Sequence, residues 1–486
     1  MLFNSYIFIF AFLPITFFIY FYLNSKRLTE ASKGFLVFSS LFFYSWWNIA
    51  YLPLILGSML FNYVVGTSLS KENEHKKVAK KSLLTFGVIA NLSLLGYFKY
   101  ADFFIENVNY LSDANLPTLD LALPLAISFF TFQQIAYLVD SYRNETKEYD
   151  FLNYAIFVTF FPQLIAGPIV HHKEMMPQFA QVRNKVKNYR NISMGLFIFS
   201  LGLFKKVVIA DYFAVVATTG FDTTTVLTLF EAWATSLSYT FQLYFDFSGY
   251  TDMAIGAALL FNIKLPINFN SPYKALDIQD FWRRWHITLS RFLRDYIYIP
   301  LGGNRKGSFR TYNNLMATFI IGGLWHGAGW TFVFWGFLHG MALVIHRAWK
   351  SFNFTMNKYL AWFITFNFIN IAWVFFRAKE FEDALKVLKG MFGMSGVVFS
   401  DKSLAKIAFM QEYIVNHSEH FGRLIFGSTP FSMLALAIFV VVKFKNTNEY
   451  TQQFTPTYKW LVFLVCIDIY TVLNLSKVSE FLYFNF

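Results

Sequence analysis

Apolar runs close to the length of a bilayer crossing recur along the whole of this chain, and they leave it few folds. A helix needs about 20 mostly apolar residues to cross a hydrocarbon core of ~30 Å. Stretches such as IFIFAFLPITFFIYFYL (7–23) and WLVFLVCIDIYTVL (460–473) approach that length. Inside lipid every backbone N–H and C=O must bond within the protein, which favours helices. Charged residues make up 14% of the chain, against about 25% in an average soluble domain. The sequence therefore predicts an all-α membrane protein, a multi-pass helical bundle of about 10–12 transmembrane or re-entrant helices.

Charge orders the crossings. The formal net charge of +12 is carried by short loops, the pattern of cytoplasmic membrane loops, so no nucleic acid is needed to explain it. Met1–Leu23 has no basic residue ahead of it and no small-residue cleavage site behind it, so it does not read as a signal peptide. Lys26 and Arg27 follow it, which places the N-terminus outside. The loops 24–33 and 71–81 read as inside, with an out-and-back pair over 34–68. Residues 82–98 go out and 121–139 return. The segment 157–170, FVTFFPQLIAGPIV, holds Pro162, Gly167 and Pro168 between two inside flanks and reads as re-entrant; such backbone survives only when buried in protein or lining a cavity. Crossings over 192–218 and 229–261, a charged segment 266–310, a long or broken helical region 314–346 and later spans near 359–376, 431–442 and 458–475 complete the order. Residues 1–350 form a core and 351–486 the C-terminal helices of the same membrane domain, and the C-terminus falls outside. The polar stretch 401–424 has no assigned side. One cysteine, Cys466, excludes an internal disulfide and a cysteine metal cluster.

Four stretches carry polar chemistry in this apolar background. In DFWRRWHITLSRFLRDY (280–296) a single helix puts Phe281, Trp282, Trp285, Leu289, Phe292, Leu293 and Tyr296 on one arc, with the arginines, Ser290 and the two aspartates on the other. That pattern predicts an interfacial helix with i,i+4 pairs Asp280–Arg284 and Arg291–Asp295, and His286 at the edge of the apolar arc. An anchor with snorkelling arginines accounts for the same pattern.

In FIIGGLWHGAGWTFVFWGFLHG (319–340), glycines surround Trp325-His326, which predicts close approach by another helix or a substrate. Counted from Asn314, His326 lies about 18 Å along a helix. Ionisable residues at such depth are rare and face a cavity or a partner; a neutral ring able to take a proton and a purely structural ring both fit. His339 and His346 share a face, but nothing supplies further metal ligands. In QLYFDFSGYTDMAIG (242–256), Asp246, Ser248, Tyr250 and Asp252 either brace broken neighbours or line a substrate path. In PQLIAGPIVHH (162–172), Gln163 is the group of interest if the loop enters the core. No phosphate-binding loop and no GxSxG elbow occurs, so an ATP-driven pump and a serine-nucleophile enzyme have no support.

Taken in order, QLYFDFSGYTDMAIG, FWRRWHITLSRFLRDYIYIPLGGNRKG and GGLWHGAGWTFVFWGFLHG resemble the membrane-bound O-acyltransferase family, and within it the alginate O-acetyltransferase branch. That branch includes membrane proteins of peptidoglycan O-acetylation and teichoic acid D-alanylation. LGYFKYADFF (95–104) and FFPQLIAGPIV (160–170) extend the resemblance over about residues 1–345. The resemblance implies a helical bundle enclosing a transmembrane tunnel in a bacterial cytoplasmic membrane, and polysaccharide O-acetyl transfer without a metal. His326 corresponds to the family's key histidine, and His286 to its second polar position, Asn or His by branch. It further implies acetyl-CoA as donor, a glycan acceptor and an extracytoplasmic O-acetyltransferase or esterase-like partner. Arg283, Arg284 and Lys306 are expected to attract either donor phosphates or lipid headgroups, with Ser290, Trp325, Asp246, Ser248 and Gln163 on the tunnel or substrate path. The tail EFLYFNF (480–486) resembles the terminal motif of a small peptide from teichoic acid D-alanylation systems, which makes Tyr483 an expected acyl relay.

Two other functions compete at this stage. A transporter or channel would use the polar mid-membrane residues to bind a substrate or relay protons, and D-alanine could replace acetate as the acyl group. A non-catalytic scaffold for an extracytoplasmic transferase would need no histidine at all.

Overall fold

The computed structural model describes residues 1–71, 77–146, 148, 150–397, 429–475 and 482. Tyr483 and the stretch 401–424 lie outside the described residues. Among those described there are helices and turns and no strand. The main helices are α1 (Leu13–Ser25), α2 (Thr29–Ser45), α3 (Leu52–Ser70), α4 (Lys77–Ser112), α5 (Ile127–Tyr142), α6 (Phe151–Thr159), α7 (Phe161–Leu164), α8 (His172–Ala180) and α9 (Tyr189–Phe204). They continue with α10 (Asp211–Thr218), α11 (Leu229–Leu260), α12 (Ile278–Arg284), α13 (Ile287–Leu293), α14 (Gly307–His326), α15 (Trp330–Ser351), α16 (Lys358–Arg377), α17 (Phe381–Met391), α18 (Thr429–Lys443) and α19 (Tyr458–Asn474). Five described segments are long and apolar enough to cross a bilayer: Phe8–Ser25, Ile49–Ser70, Ala79–Ser112, Tyr189–Thr223 and Lys358–Arg377. The all-helical membrane class predicted from the apolar runs is the one observed.

Local chemistry sets the element ends. After α1, Arg27 takes the left-handed conformation (φ 61°) and the Leu28 N–H reaches back to the Leu23 carbonyl at 3.0 Å, a turn that closes the helix and lets α2 reverse. Pro53 sits in the first turn of α3, where its missing N–H costs nothing. α4 is far longer than the crossing expected over 82–98. From Tyr97 to Ser112 no proline or glycine interrupts it, and the chain turns only at Asp113 (φ 51°); at ~1.5 Å per residue the helix is about 54 Å long.

The chain divides into two compact units that interleave along the sequence. The first holds Met1–Phe204, Gly249–Asn268 and Thr451–Phe486. Its interior contains the broken segment expected over 157–170: α6 and α7 end at Leu164, and the chain then runs without helix to His171. Every residue from Tyr154 to His172 is buried, so the backbone polar groups need partners within the protein. Ser40 Oγ accepts from the Phe161 N–H at 3.1 Å, and the Gln163 amide donates to the Phe157 carbonyl at 2.6 Å. In the same unit Asn62 and Asn91 exchange side-chain amide bonds at 3.0 and 2.7 Å between α3 and α4, polar contacts of the kind that join helices in lipid.

The second unit holds Lys205–Ser248 and Phe269–Tyr450. Its centre is the hairpin of α14 and α15, which turns at Gly327–Gly329. Of the glycines expected to permit a close approach, Gly323 meets the backbone of α15 and Gly327 the Phe332 ring, whereas Gly322 faces Leu293 and Gly329 has ordinary contacts. A Cβ on Gly323 would lie 2.3 Å from the Phe332 carbonyl oxygen, and one on Gly336 would lie 2.4 Å from that of Phe319. The two backbones touch where glycine removes the side chain.

Candidate active site

The segment 280–296 is two helices, not the single one its amphipathic arc predicts. α12 ends at Arg284, Trp285 is extended, and His286 adopts a left-handed backbone (φ 44°, ψ 54°) before α13 begins. That conformation is costly for a residue with a Cβ and clusters at functional sites. The end of α12 is held by the strand-like stretch before it: the Asn270 N–H donates to the Arg284 carbonyl at 2.9 Å. The Arg284 guanidinium donates back to the Asn270 carbonyl at 3.3 Å and to Asp280 at 2.8 Å. The Asp280–Arg284 pair predicted from spacing is present, while Asp295 pairs with Arg294 at 2.7 Å. A π-helical turn follows over Arg294–Tyr298.

The kink turns His286 fully inward; it is 0% exposed. Its ring centroid lies 4.8 Å from Phe247, 6.3 Å from Trp325 and 6.5 Å from His326. His326, the last residue of α14, is 4% exposed and is enclosed by Trp325 (4.9 Å), Trp335 (5.2 Å) and Phe376 (5.1 Å). The helix carrying it starts at Gly307 rather than Asn314, so the ring lies about 28 Å along α14 from its start. Burial lowers the His286 pKa, because the imidazolium loses its hydration; the neutral ring is the resident form. Two imidazoles in an aromatic enclosure can accept a proton from a hydroxyl or donate a hydrogen bond to a developing oxyanion.

One turn beyond His286, a 910 Å³ cavity opens beside α12 and α13 at the base of the hairpin. Arg283, Ser290, Arg291, Arg294, Arg347 and Lys350 line it, with Trp282, Leu293, Thr318 and Phe319 on its apolar wall. Among the described residues that line it there is no aspartate or glutamate. Such a cavity concentrates anions. His286 and His326 do not line it; Trp282 connects the two regions. Its indole N–H donates to His339 Nδ1 at 3.2 Å, and its ring packs against Trp335 at 5.8 Å, the tryptophan that also packs on His326.

The structure thus gathers His286, His326 and Trp325, and places Arg283 and Ser290 on the adjacent cavity. Arg284 serves the helix end instead, and Lys306 lies exposed just ahead of α14. Asp246 is buried and pairs with Lys206 at 2.5 Å, and Ser248 is buried two residues on. Gln163 belongs to the first unit and holds the Phe157 carbonyl. Tyr483 is outside the described residues. Sequence reasoning missed Phe247, Trp335, Phe376 and His339 around the histidines, and Arg347 and Lys350 on the cavity. A hairpin folded at Gly327–Gly329 brings the basic end of α15 beside the start of α14, a signal available once the turn is recognised. Lys206 was legible as a lysine in an apolar run. Among the described residues no group of three or more His, Cys, Asp or Glu side chains could hold a metal.

Comparison with known proteins identifies the family. Residues 1–379 match the model of the membrane-bound O-acyltransferase family. The chain is 53% identical to a protein named peptidoglycan O-acetyltransferase from Helicobacter pylori, over all of this chain and 98% of that protein. It is 37% identical, over the whole of both, to a Pseudomonas putida protein named "Probable alginate O-acetylase AlgI". A Streptococcus thermophilus protein named teichoic acid D-alanyltransferase is 29% identical over 48% of this chain and 59% of its own length. This chain is a multi-pass bacterial membrane O-acyltransferase and belongs to the membrane-bound O-acyltransferase family.

Proposed function

We propose that the chain takes an acetyl group from acetyl-CoA and passes it across the membrane to a hydroxyl of peptidoglycan. The observation that carries this reading is the approach of His286 to His326 at 6.5 Å, inside an aromatic enclosure beside a cation-lined cavity. The cavity's arginines suit the phosphates of CoA, and its apolar wall suits the pantetheine arm that leads inward. His326 takes the proton of the attacking hydroxyl as its oxygen bonds to the thioester carbonyl carbon. His286 and nearby N–H groups steady the oxyanion, the C–S bond breaks, and CoA leaves as the thiol with the transferred proton. General-base assistance of this kind contributes roughly 10²–10⁴ in rate. Acetyl is favoured over D-alanyl because the relative named for O-acetylation is matched over its whole length, and the D-alanyl relative over about half.

The first acceptor in this scheme is Tyr483, whose phenol, with pKa near 10, leaves more readily than a sugar alcohol. An extracytoplasmic transferase then carries the acetyl group to the glycan. The test is base-released acetate from purified peptidoglycan of cells lacking this chain and of cells complemented with it. Wild type restores the acetate and His326→Ala does not; acetate unchanged by deletion of the chain refutes peptidoglycan as the acceptor.

A further inference from the structure

A second large cavity lies in the first unit, far along the sequence from the histidines. The last two turns of α1 form one wall, and the segment 182–187, entered by a 3-10 turn (Val182–Lys185), forms the other. The space between them is 930 Å³. Its lining combines two chemistries. Phe18, Tyr22 and Val186 supply apolar surface, and all three are more than half exposed (60, 61 and 63%). Arg27, Lys185 and Lys187 supply positive charge, and no aspartate or glutamate is among the described lining residues.

The position of this cavity on the span matters as much as its charge. Phe8–Ser25 is one of the segments able to cross a bilayer, so Phe18 and Tyr22 belong to its final turns and Lys26-Arg27 to the level just past the hydrocarbon. The cations mark the boundary themselves: the Lys187 ammonium sits 5.5 Å from the centre of the Phe18 ring, and that of Lys26 sits 5.8 Å from Tyr22. A trough lined by aromatic rings and three cations at a membrane boundary complements a molecule that joins a phosphate to hydrocarbon. Free phosphate would leave the trough unfilled, and a zwitterionic lipid would bring its own cation to the three basic groups.

We infer that this cavity is a binding site for one anionic phospholipid, with its phosphate among Arg27, Lys185 and Lys187 and an acyl chain along Phe18 and Tyr22. The inference does not depend on the acyl-transfer reading. The test uses the full-length protein in mild detergent, with native mass spectrometry to count retained phosphatidylglycerol and phosphatidylcholine. Wild type is expected to retain phosphatidylglycerol about tenfold better than phosphatidylcholine. The triple variant Arg27→Gln/Lys185→Gln/Lys187→Gln is expected to lose that preference, whereas Lys80→Gln/Lys81→Gln on α4 keeps it. Millimolar inorganic phosphate leaves the bound lipid in place. Equal retention of the two lipids by wild type, an unchanged preference in the triple variant, or displacement by inorganic phosphate overturns the assignment. If the triple variant is not recovered folded, a photoreactive phosphatidylglycerol analogue on the wild-type protein decides. Adducts on residues 18–29 and 182–187 support the site, and adducts confined to other segments refute it.

Discussion

Trp282 donates its indole N–H to Nδ1 of His339 across 3.2 Å, joining a wall of the basic cavity to the aromatic enclosure of His326. His339 is 0% exposed, and a neutral ring that accepts at Nδ1 carries its proton on Nε2. Trp282→Phe keeps an aromatic ring and strips the donor, leaving a buried acceptor without it at a cost of about 1–3 kcal/mol, added to the packing lost with the smaller ring. The unfolding midpoint is expected to fall. Adding His339→Phe removes the orphaned acceptor as well and recovers part of the loss, because removing both partners is less costly than removing one. A double-mutant cycle by thermal shift in detergent reads this directly, and strictly additive effects would argue against the bond.

The two arginines side by side in the sequence are expected to behave differently. Arg283 lines the cavity, and Arg284 holds the end of α12 through Asp280 and Asn270. Arg283→Ala, and more strongly Arg283→Ala with Arg347→Ala, raises the KM for acetyl-CoA with little change in kcat, and weakens the salt dependence of KM. Arg284→Ala lowers the unfolding midpoint and leaves the salt dependence of KM as it was. Steady-state kinetics at two ionic strengths separate the variants.

The glycine contact between α14 and α15 predicts a strong position effect. Gly323→Ala and Gly336→Ala drive a methyl into a backbone carbonyl at under 2.5 Å, and overpacking of this kind costs about 1–3 kcal/mol. Gly57→Ala, in α3 with nothing within 4 Å of the added carbon, is expected to be neutral or slightly stabilising, since alanine outperforms glycine in a helix by up to about 1 kcal/mol. Unfolding midpoints of the three purified variants test this contrast.

Stability is expected to fall in acid through His286. Its pKa is lowered by burial in the folded protein, and the unfolded chain titrates near 6.5. Above about pH 6.5 both states hold the neutral ring and its contribution is complete. As pH falls below that value the unfolded state takes up a proton that the folded state refuses, so the contribution is progressively lost. His286→Asn removes that part of the slope. Midpoints measured from pH 7.5 to 5 for both proteins check it, and identical slopes would contradict it.

Much of this was legible before the fold was known, and the gaps have physical causes. Hydropathy marked the five described segments able to cross a bilayer, and Pro162, Gly167 and Pro168 marked the broken segment, because these features act locally. The kink at His286 was not legible: two short helices joined by one left-handed residue satisfy the same apolar arc as one long helix, and periodicity does not encode φ. The π-helical turn over Arg294–Tyr298 was hidden for a related reason. Lys206 lies within the crossing expected over 192–218. A π-helical turn over Lys205–Ala210 accompanies its inward ion pair with Asp246, a relation that needs two distant segments to be seen together. His326 stood out because a histidine among Gly, Trp and Phe is costly unless used or paired. Its partners Trp335 and Phe376 come from α15 and α16, and only the folded hairpin brings them to it.

The most direct test of the account is the acetyl-transfer rate of purified, lipid-reconstituted protein with His326→Ala and with His326→Gln, each checked for unchanged unfolding midpoint and acetyl-CoA binding. The account predicts a loss of roughly 10²–10⁴ in kcat for both, with donor binding at the basic cavity retained. Transfer within a few-fold of wild type in either folded variant would contradict it.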